Sequence, residues 1–295
     1  MKTFIAIDIG GTYIKYGLVD ESAAILESGR ESTPKGLLDL LHLIDGISQK
    51  YPQSTGIAVS APGAVGEDGI IYGSSALPYL HGPNIKQLLK EKTKKPVYLE
   101  NDANCAAYAE IWKGAAQGMT DIMVMVIGTG IGGSIIKDGI LHKGAHLHGG
   151  EFGYMLLDSS RKGSNDTWSR QASTAALVRC VANAKQIPED SLTGEQIFAM
   201  AEAGDQDCIH ALDQFYHLLA VGIYNLQYVY DPEIILIGGG ISAREDLITM
   251  IDDKLNHILS GIPHARIKPP IAACHFRQHA NLVGAVYGFM IENKS

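Results

Sequence analysis

The sequence predicts an α/β chain made of two similar halves, because the same kind of glycine-rich hairpin occurs twice. Residues 4–9 form an apolar run that leads into the turn 10–12 and then into a second apolar run. Residues 122–127 lead in the same way into the glycine-rich stretch 128–133. Apolar runs of this length are typical of strands covered on both faces. We therefore expect a duplicated half-domain whose two turns face each other across a central cleft.

The first hairpin carries groups that can hold a phosphate and a metal ion. Gly10 and Gly11 allow close approach of backbone N–H groups, which cradle anions, and Thr12 adds a hydroxyl donor. Asp8, at the end of the strand, can hold a hydrated Mg²⁺, an ion that keeps several waters and takes few protein ligands. An ordinary β-turn is the alternative interpretation. The pattern favours a phosphate-binding hairpin with its metal anchor.

The second hairpin also fits a motif of dinucleotide-binding proteins, but its context argues against that class. Gly128, Gly130 and Gly133 match G-x-G-x-x-G, yet residues 134–136 predict a strand where a dinucleotide site needs a helix. A similar glycine pattern at residues 238–243 does precede a predicted helix. It lacks the acidic residue about 20 positions further on that would bind a ribose. The second hairpin instead repeats the pattern of the first, a glycine turn with a threonine, at Gly128, Thr129, Gly130, Gly132 and Gly133.

A polar pair, Asn101 and Asp102, stands between the predicted strand 96–100 and an alanine-rich segment. Such a pair is typical of the N-cap of a helix. Because the helix begins where the strand ends, the Asp102 carboxylate is expected at the carboxyl edge of the sheet. Open α/β folds bind their ligands at this edge, so Asp102 is a candidate site residue.

Length and composition argue against several function classes. The 295 residues, 46% of them hydrophobic, suffice for one or two domains with packed cores. The net charge of −8 argues against a nucleic-acid partner, because such proteins usually carry a basic face. We see no cationic and apolar leader, and no apolar run near the roughly 20 residues of a membrane helix, so we expect a cytoplasmic protein. The four cysteines form no Cys-x-x-Cys pair and predict no metal cluster.

Several stretches together resemble the ROK family of bacterial sugar kinases and repressors. They are spread over nearly the whole chain in the order found in that family, at residues 8–12 with Lys15, 60–63, 100–104, 128–133, 149–153 and 231–240. The resemblance implies an actin-like, ribonuclease H-like fold of two lobes, expected at 1–117 plus 277–295 and at 118–276. It also implies ATP with Mg²⁺, phosphoryl transfer to a sugar hydroxyl, and a homodimer.

The same resemblance implies roles for individual residues. Asp102 corresponds to the catalytic base. The positions that correspond to sugar contacts are Gly63, Asn101, Asp102 and Glu151. Asp8 corresponds to the residue that holds Mg²⁺ through water, and both hairpins correspond to loops that bracket the phosphates. Gly239 corresponds to a position beside the adenosine.

The departures from the family pattern concern zinc. Many ROK members have a histidine where this chain has Tyr154, followed by a cysteine-rich zinc motif and a sugar-binding glutamate. Here residues 158–168 contain no cysteine, and Ser169 falls near that glutamate. We expect no structural zinc and an altered sugar contact, as in the zinc-free branch that includes β-glucoside kinase. Zinc ligation stays conceivable at His142, His146 and His148. Ordinary loop histidines, one of which lines the sugar pocket, are the favoured interpretation.

The expected function is therefore that of an ATP-dependent sugar kinase acting on the 6-hydroxyl of a hexose or of a β-glucoside such as cellobiose. Glucokinase and N-acetylmannosamine kinase are the nearest alternatives. A non-catalytic sugar sensor and a filament-forming actin-like ATPase belong to other classes. The intact Asp102 argues against the sensor, and the sugar motif at Glu151 argues against the filament protein. ROK repressors carry an N-terminal winged helix, whereas this chain starts directly on its first predicted strand.

Overall fold

The computed structural model describes residues 2–158, 166–276 and 279–293. By its internal contacts the chain divides into two compact units. The first unit comprises Met1–Gly118, Leu141–Gly149 and Gln278–Ser295, and the second comprises Met119–Ile140 and Gly150–Arg277. The expected second lobe ran without interruption from residue 118, whereas the contacts group Leu141–Gly149 with the first unit. The expected boundary at residue 277 lies outside the described residues.

The described part of the first unit contains a five-stranded sheet. Its strands are β1 (Thr3–Ile9), β2 (Tyr13–Asp20), β3 (Ile25–Ser32), β4 (Ile57–Ala61) and β7 (Val97–Asn101). They lie in the order β3-β2-β1-β4-β7, with β1 antiparallel to β2 and parallel to β4, which is parallel to β7. A short ribbon consists of β5 (Ala64–Val65) and β6 (Ile71–Tyr72). Helices of this unit, numbered in chain order, are α1 (Leu37–Lys50), α2 (Ile85–Thr93), α3 (Asp102–Lys113) and α9 (Ala280–Glu292).

Different helices cover the two faces of this sheet. Ile7 and Val59 belong to a buried cluster with apolar side chains of α1 and α2. Phe4 of β1 contacts Phe289 of α9 instead, with the ring centroids 5.3 Å apart. Because side chains alternate between the faces of a strand, Asp8 lies on the same face as Phe4, which is the face covered by α9.

The second unit repeats this arrangement. Its sheet consists of β8 (Ile122–Ile127), β9 (Ile131–Lys137), β10 (Ile140–Leu141), β11 (Ile234–Gly238) and β12 (Ile271–Ala273). In the described residues the order is β10-β9-β8-β11-β12, with β8 antiparallel to β9 and parallel to β11, which is parallel to β12. The strand directions around β8 match those around β1, so the predicted duplication is confirmed.

The helices of the second unit build a separate core. They are α4 (Trp168–Ala172), α5 (Thr174–Lys185), α6 (Gly194–Glu202), α7 (Gln206–Tyr230) and α8 (Leu247–Ser260). The fully buried Trp168 lies against Gly222 of α7, where a Cβ would overlap the indole ring. Each unit therefore has its own apolar core around its own sheet.

Close packing of α9 on α3 gives a testable prediction. A Cβ on Gly284 of α9 would overlap the carbonyl oxygen of Cys105 in α3, which is backbone and cannot rotate away. We expect Gly284→Ala to lower the free energy of unfolding by about 1–3 kcal/mol, because an extra methyl group must push the helices apart. The matched control is Gly46→Ala in α1, where a Cβ meets no described atom within 4 Å and alanine favours the helix. Melting temperatures check this, and equal values for the two variants would contradict it.

Candidate active site

Three polar side chains lie side by side at the carboxyl ends of the parallel strands of the first unit. The register pairs Asp8 of β1 with Ser60 of β4, and Ser60 with Glu100 of β7. Oδ1 of Asp8 accepts hydrogen bonds from Ser60 Oγ and from Asn281 Nδ2 of α9, both at 3.0 Å. Because both of these bonds fall on Oδ1, the lone pairs of Oδ2 can accept from a further ligand. This carboxylate therefore fits a hydrated Mg²⁺, which needs few protein oxygens.

Helix α3 begins directly after this row, and its N-cap fixes the side chain of Asp102. Oδ1 of the cap residue Asn101 accepts from the N–H of Asn104 at 3.1 Å. Nδ2 of Asn101 donates to the carbonyl of Gly63 at 3.1 Å and to Oδ1 of Asp102 at 3.0 Å. Oδ1 of Asp102 also accepts from the N–H of Ala103 at 2.8 Å. The predicted helix start is confirmed, and both described bonds to the Asp102 side chain fall on Oδ1.

The surroundings of Asp102 change its acidity. Burial raises the pKa of the Asp102 carboxyl from an ordinary 3.8 to about 6, and the nearby charge of Asp8 adds to this rise. The hydrogen bonds from Ala103 and Asn101 partly oppose it. A carboxylate with this pKa is mostly ionised at pH 7 and close to the optimum for a general base at that pH. Strongly shifted carboxyls in such positions are candidates for catalysis.

Gly63 occupies a turn that only glycine can adopt without strain. Its φ is +103°, and a Cβ would lie 2.8 Å from Cγ2 of Ile71 and 3.0 Å from Cε1 of His81. The hydrogen bond from Asn101 ties this turn to the cap of α3. The structure thus brings Gly63, Asn101 and Asp102 together, as expected from the sequence. Glu151 lies in the second unit, exposed, at the start of a 3₁₀ turn.

The turn of the first hairpin is held from its base. The N–H of Gly10 donates to the carbonyl of Tyr13 at 3.1 Å, and Oγ1 of Thr33 donates to the carbonyl of Gly10 at 2.7 Å. The N–H of Thr33 donates to the carbonyl of Thr12 at 3.0 Å. Gly11 and Thr12 are exposed at the tip. A supported turn with an exposed tip fits the predicted phosphate contacts at Gly11 and Thr12. The N–H of Gly10, also predicted to contact phosphate, already donates to Tyr13.

The second hairpin turns at residues 128–130 and is held by α4 and α5. The carbonyl of Gly128 accepts from the N–H and the hydroxyl of Thr174. The N–H of Ile131 donates to Oγ of Ser169 at 2.8 Å. Thr129 is exposed, and Gly130 and Gly132 are partly exposed. Gly133 is buried, and a Cβ there would overlap Phe152 and the carbonyl of Val124, so it has a packing role.

A cavity of about 480 Å³ lies beside this hairpin, inside the second unit. Its lining comes from the hairpin, α5, α6 and the turn after β11, with Gly128, Thr174, Phe198, Glu202, Gly240 and Arg244 among its residues. Pockets for small molecules are commonly about 300–1,000 Å³ and mostly apolar with a few polar groups. Gly128 and Gly240 both line the cavity, and a Cβ at either would meet no described atom within 4 Å. Its size and its position beside the glycine turn fit a nucleoside.

Gly239 directly precedes the lining residue Gly240 and packs against the end of β8. Its φ is +89°, and a Cβ would overlap the carbonyl oxygen of Ile127 at the end of β8. The cavity lining in the described residues includes Gly240 and Ile241, and Gly239 is not among them. The family resemblance implies a position beside the adenosine for Gly239, and this stays a prediction. The structure gives it a backbone role, which brings the turn close to the strand.

The sequence patterns did not identify several side chains that take part in this site. Ser60 and Glu100 were noticed only as members of similar stretches, and Asn281 and Lys143 were not singled out. The alternation of β1 could have pointed to α9 as the partner of Asp8, but no pattern identifies Asn281 within that helix. Lys143 pairs with Glu100 at 2.6 Å. It lies in a loop whose grouping with the first unit follows only from the fold.

The histidines and carboxylates of the chain were candidates for a metal cluster. Within the described ranges, no group of three or more His, Cys, Asp or Glu side chains is placed to hold a metal ion. Nδ1 of His148 lies 2.6 Å from the carbonyl oxygen of His146. Residues 159–165, most of the segment compared with the zinc motif, lie outside the described residues.

A membrane-spanning helix must be both long and apolar. In the part of the chain that the structure describes, none of the helices has both the length and the apolar character needed to span a membrane.

Known proteins resemble this chain over nearly its full length. A profile of the ROK family matches residues 4–290. The β-glucoside kinase of Klebsiella pneumoniae is 36% identical over 295 residues, which cover 96% of this chain and 95% of that protein. The similarity therefore includes both units and is not confined to the glycine hairpins.

Solved structures extend the comparison to the fold. A ROK family protein from Streptococcus pneumoniae in complex with sucrose superimposes with a TM-score of 0.92 at 38% identity, covering 99% of both chains. A ROK family glucokinase from Streptomyces griseus in complex with glucose and AMPPNP gives a TM-score of 0.78 at 27% identity. That match covers 96% of this chain and 97% of the glucokinase.

Proposed function

This chain belongs to the ROK family, and we propose that it is an ATP-dependent kinase that transfers the γ-phosphoryl group to a sugar hydroxyl. The predicted actin-like fold class is confirmed by the structural neighbours. The similarity to a β-glucoside kinase, and to a glucokinase bound to glucose and AMPPNP, supports the activity. The observation that carries the proposal is the carboxyl of Asp102, the first residue of α3. Its pKa is raised to about 6, in part by the charge of a second carboxylate, Asp8.

Asp102 acts as the general base in this proposal. Phosphoryl transfer has a loose transition state, so the chain contributes mainly by positioning groups and by stabilising charge. Oδ1 of Asp102 is held by Asn101 and Ala103, and Oδ2 accepts the proton of the attacking sugar hydroxyl. Asn101 has a fixed orientation because it also binds Gly63 and Asn104. We include Asn101, Gly63 and Glu151 among the sugar contacts.

Asp8 holds a hydrated Mg²⁺ in the same proposal. When bound, this ion neutralises charge on the phosphoryl oxygens. The chain fixes Asp8 from two sides, through Ser60 of β4 and Asn281 of α9. Asp8 would hold the ion through water, since Mg²⁺ gives up its waters reluctantly.

The cavity of the second unit takes the adenosine, and a substitution that narrows it tests this. The Cβ of Gly240 would extend into open space at the cavity wall. We expect Gly240→Val to raise the KM for ATP roughly tenfold or more, which corresponds to about 1.4 kcal/mol of lost binding. The KM for the sugar and the melting temperature should stay unchanged. Steady-state kinetics check this. The control is Gly36→Val, also in open space but before α1, and equal effects of both variants would contradict the assignment.

The acceptor is proposed to be the 6-hydroxyl of a β-glucoside such as cellobiose. The similarity to a β-glucoside kinase favours this class, and the sucrose bound to the Streptococcus pneumoniae protein is also a disaccharide. Glucose and N-acetylmannosamine are the alternative acceptors. A homodimer is part of the proposal through the family resemblance alone. Mg²⁺ is supported by the position of Asp8 as well, and a cytoplasmic location is also proposed.

An assay of ADP release with cellobiose, glucose and N-acetylmannosamine tests the proposal directly. We expect the highest kcat/KM with cellobiose, and NMR of the product should place the phosphate on the 6-oxygen. Preference for glucose or N-acetylmannosamine would reassign the acceptor. Calorimetric binding of a sugar without any release of ADP would instead support a sugar sensor and contradict the kinase.

A further inference from the structure

Glu100, two residues before the proposed base Asp102, is nearly buried and forms an ion pair. Nζ of Lys143 is 2.6 Å from Oε2 of Glu100, whose side chain is only 3% exposed. We propose that Lys143 is a positioning residue for phosphoryl transfer, which acts through Glu100 on the cap that carries Asp102. The inference rests on the proposed function, because it assigns a residue to that reaction.

Glu100 connects the ion pair to the cap. Its Oε1 accepts from the backbone N–H of Asn101 at 2.8 Å and from Nδ2 of Asn104 at 3.0 Å. These two residues flank Asp102, and they are joined by the bond from the Asn104 N–H to the Asn101 side chain. Glu100 therefore holds both sides of the turn on which Asp102 stands. As a carboxylate, Glu100 accepts at both oxygens, from these two donors at Oε1 and from Lys143 at Oε2.

Lys143 connects this carboxylate to two further segments. It belongs to the segment Leu141–Gly149, and its Nζ also donates to the carbonyl of Val65 in β5 at 3.2 Å. The segment is closed on itself by a bond from the N–H of Gly149 to the carbonyl of Lys143 at 2.8 Å. One ammonium group thus joins the loop, the strand that follows the Gly63 turn, and the strand that ends at the cap.

The charges of the site explain why a cation is needed there. Asp8 and Glu100 stand at equivalent positions on neighbouring parallel strands, and Asp102 follows shortly after. A buried carboxylate that loses its counter-charge is destabilised where it stands, because desolvation penalises its charged form. Loss of Lys143 would then weaken the two hydrogen bonds at Oε1 and let the cap shift. Small misplacements of reacting groups cost large factors in rate.

Kinetics of three single variants and one control test this role. We expect Lys143→Met to lower kcat roughly 10- to 100-fold, since a misplacement near 1 Å can cost about 10², with little change in the KM for ATP. Lys143→Arg should restore most of the activity, because it keeps the charge. Glu100→Gln should resemble Lys143→Met. Lys92→Met removes an exposed lysine of α2 and should have no effect.

The double variant separates an indirect role from a direct contact with sugar or phosphate. If Lys143 acts through Glu100, the variant carrying both Lys143→Met and Glu100→Gln should be no slower than the slower single variant. Multiplied losses would show that Lys143 contacts a substrate itself and would overturn the proposal, as would full activity of Lys143→Met. The double variant contains no unpaired buried charge, so its activity can test the positioning role even if Lys143→Met does not fold. In that case its full activity would overturn the proposal.

A binding measurement keeps this inference separate from the kinase assignment. Because the cap also carries the proposed sugar contacts, we expect Lys143→Met to weaken calorimetric binding of the preferred sugar, measured without nucleotide, roughly tenfold. Unchanged affinity together with unchanged kcat would overturn the positioning role while leaving the kinase assignment intact. A wild-type protein that releases no ADP with any sugar would remove the proposed function, and the binding loss would then be the remaining test of the contact.

Discussion

Replacing Asp102 by asparagine is expected to lower kcat roughly 10³-fold, within the range of about 10²–10⁴ that a positioned base contributes. Asparagine has nearly the same shape, and its side-chain oxygen can accept the same bonds from Ala103 and Asn101. What it loses is the ability to take a proton from the sugar hydroxyl. The measurement is turnover at saturating sugar and ATP. Activity within a fewfold of wild type would exclude Asp102 as the base.

The pH dependence of the wild-type enzyme provides a second readout of the same residue. Because the base must be ionised, kcat/KM should fall tenfold per pH unit as the pH drops below the pKa of about 6. An acid limb near pH 4 would mean that the essential group is an ordinary exposed carboxyl. In the Asp102→Asn variant, the residual activity should lack this limb.

Stability serves as the control for Asp102→Asn. The pKa of Asp102 is higher in the folded protein than the ordinary 3.8, so the folded state binds the proton more tightly between about pH 4 and 6. Stability from the protonated carboxyl is therefore lost as the pH rises through this window. Asparagine suffers no such loss, and the variant should be more stable by about 1–2 kcal/mol at pH 8, after allowance for partial exposure. Below about pH 4 the difference should vanish.

Replacing Asp8 by asparagine is expected to reduce kcat roughly 10²-fold or more and to raise the Mg²⁺ concentration needed for half-maximal activity. The amide keeps an oxygen for Ser60 and Asn281 but loses the negative charge that attracts the hydrated ion. The charge of Asp8 also contributes to the raised pKa of Asp102. The acid limb of the residual activity should therefore move to lower pH.

Ser60→Ala is the matched control for this substitution. It removes one of the bonds to Oδ1 of Asp8 and leaves the carboxylate in place, so a much smaller loss of activity is expected. Titration of activity with Mg²⁺ at fixed ATP distinguishes the two variants. An Asp8→Asn enzyme with the wild-type Mg²⁺ dependence would show that the ion is held elsewhere.

Much of the fold could be predicted from the sequence because local patterns agree with it. Two apolar runs before glycine turns predicted the paired hairpins, and the sheets around β1 and β8 repeat the same strand directions. The pair Asn101 and Asp102 predicted the start of α3, since a polar side chain after a strand satisfies the free N–H groups of a helix. ROK family membership was likewise confirmed. The roles of the individual site residues stay predictions.

The remaining features depend on distant parts of the chain. Asn281 binds Asp8 across 273 positions of sequence, and its place follows from the packing of α9 on the sheet. Lys143 pairs with Glu100 only because the segment Leu141–Gly149 groups with the first unit. The sequence also did not show that only the first of the two described sheets carries this row of polar residues. The first sheet has Asp8, Ser60 and Glu100 in register, whereas the register of the second sheet pairs Val126 with Gly238.

A crystal structure with a non-hydrolysable ATP analogue and the preferred sugar tests the central claim most directly. The distance to measure joins a carboxylate oxygen of Asp102 to the hydroxyl oxygen that faces the γ-phosphate. We predict a hydrogen bond of about 2.6–3.2 Å between them. A complex in which both ligands are ordered, but no carbohydrate oxygen lies within hydrogen-bond reach of Asp102, would contradict this assignment.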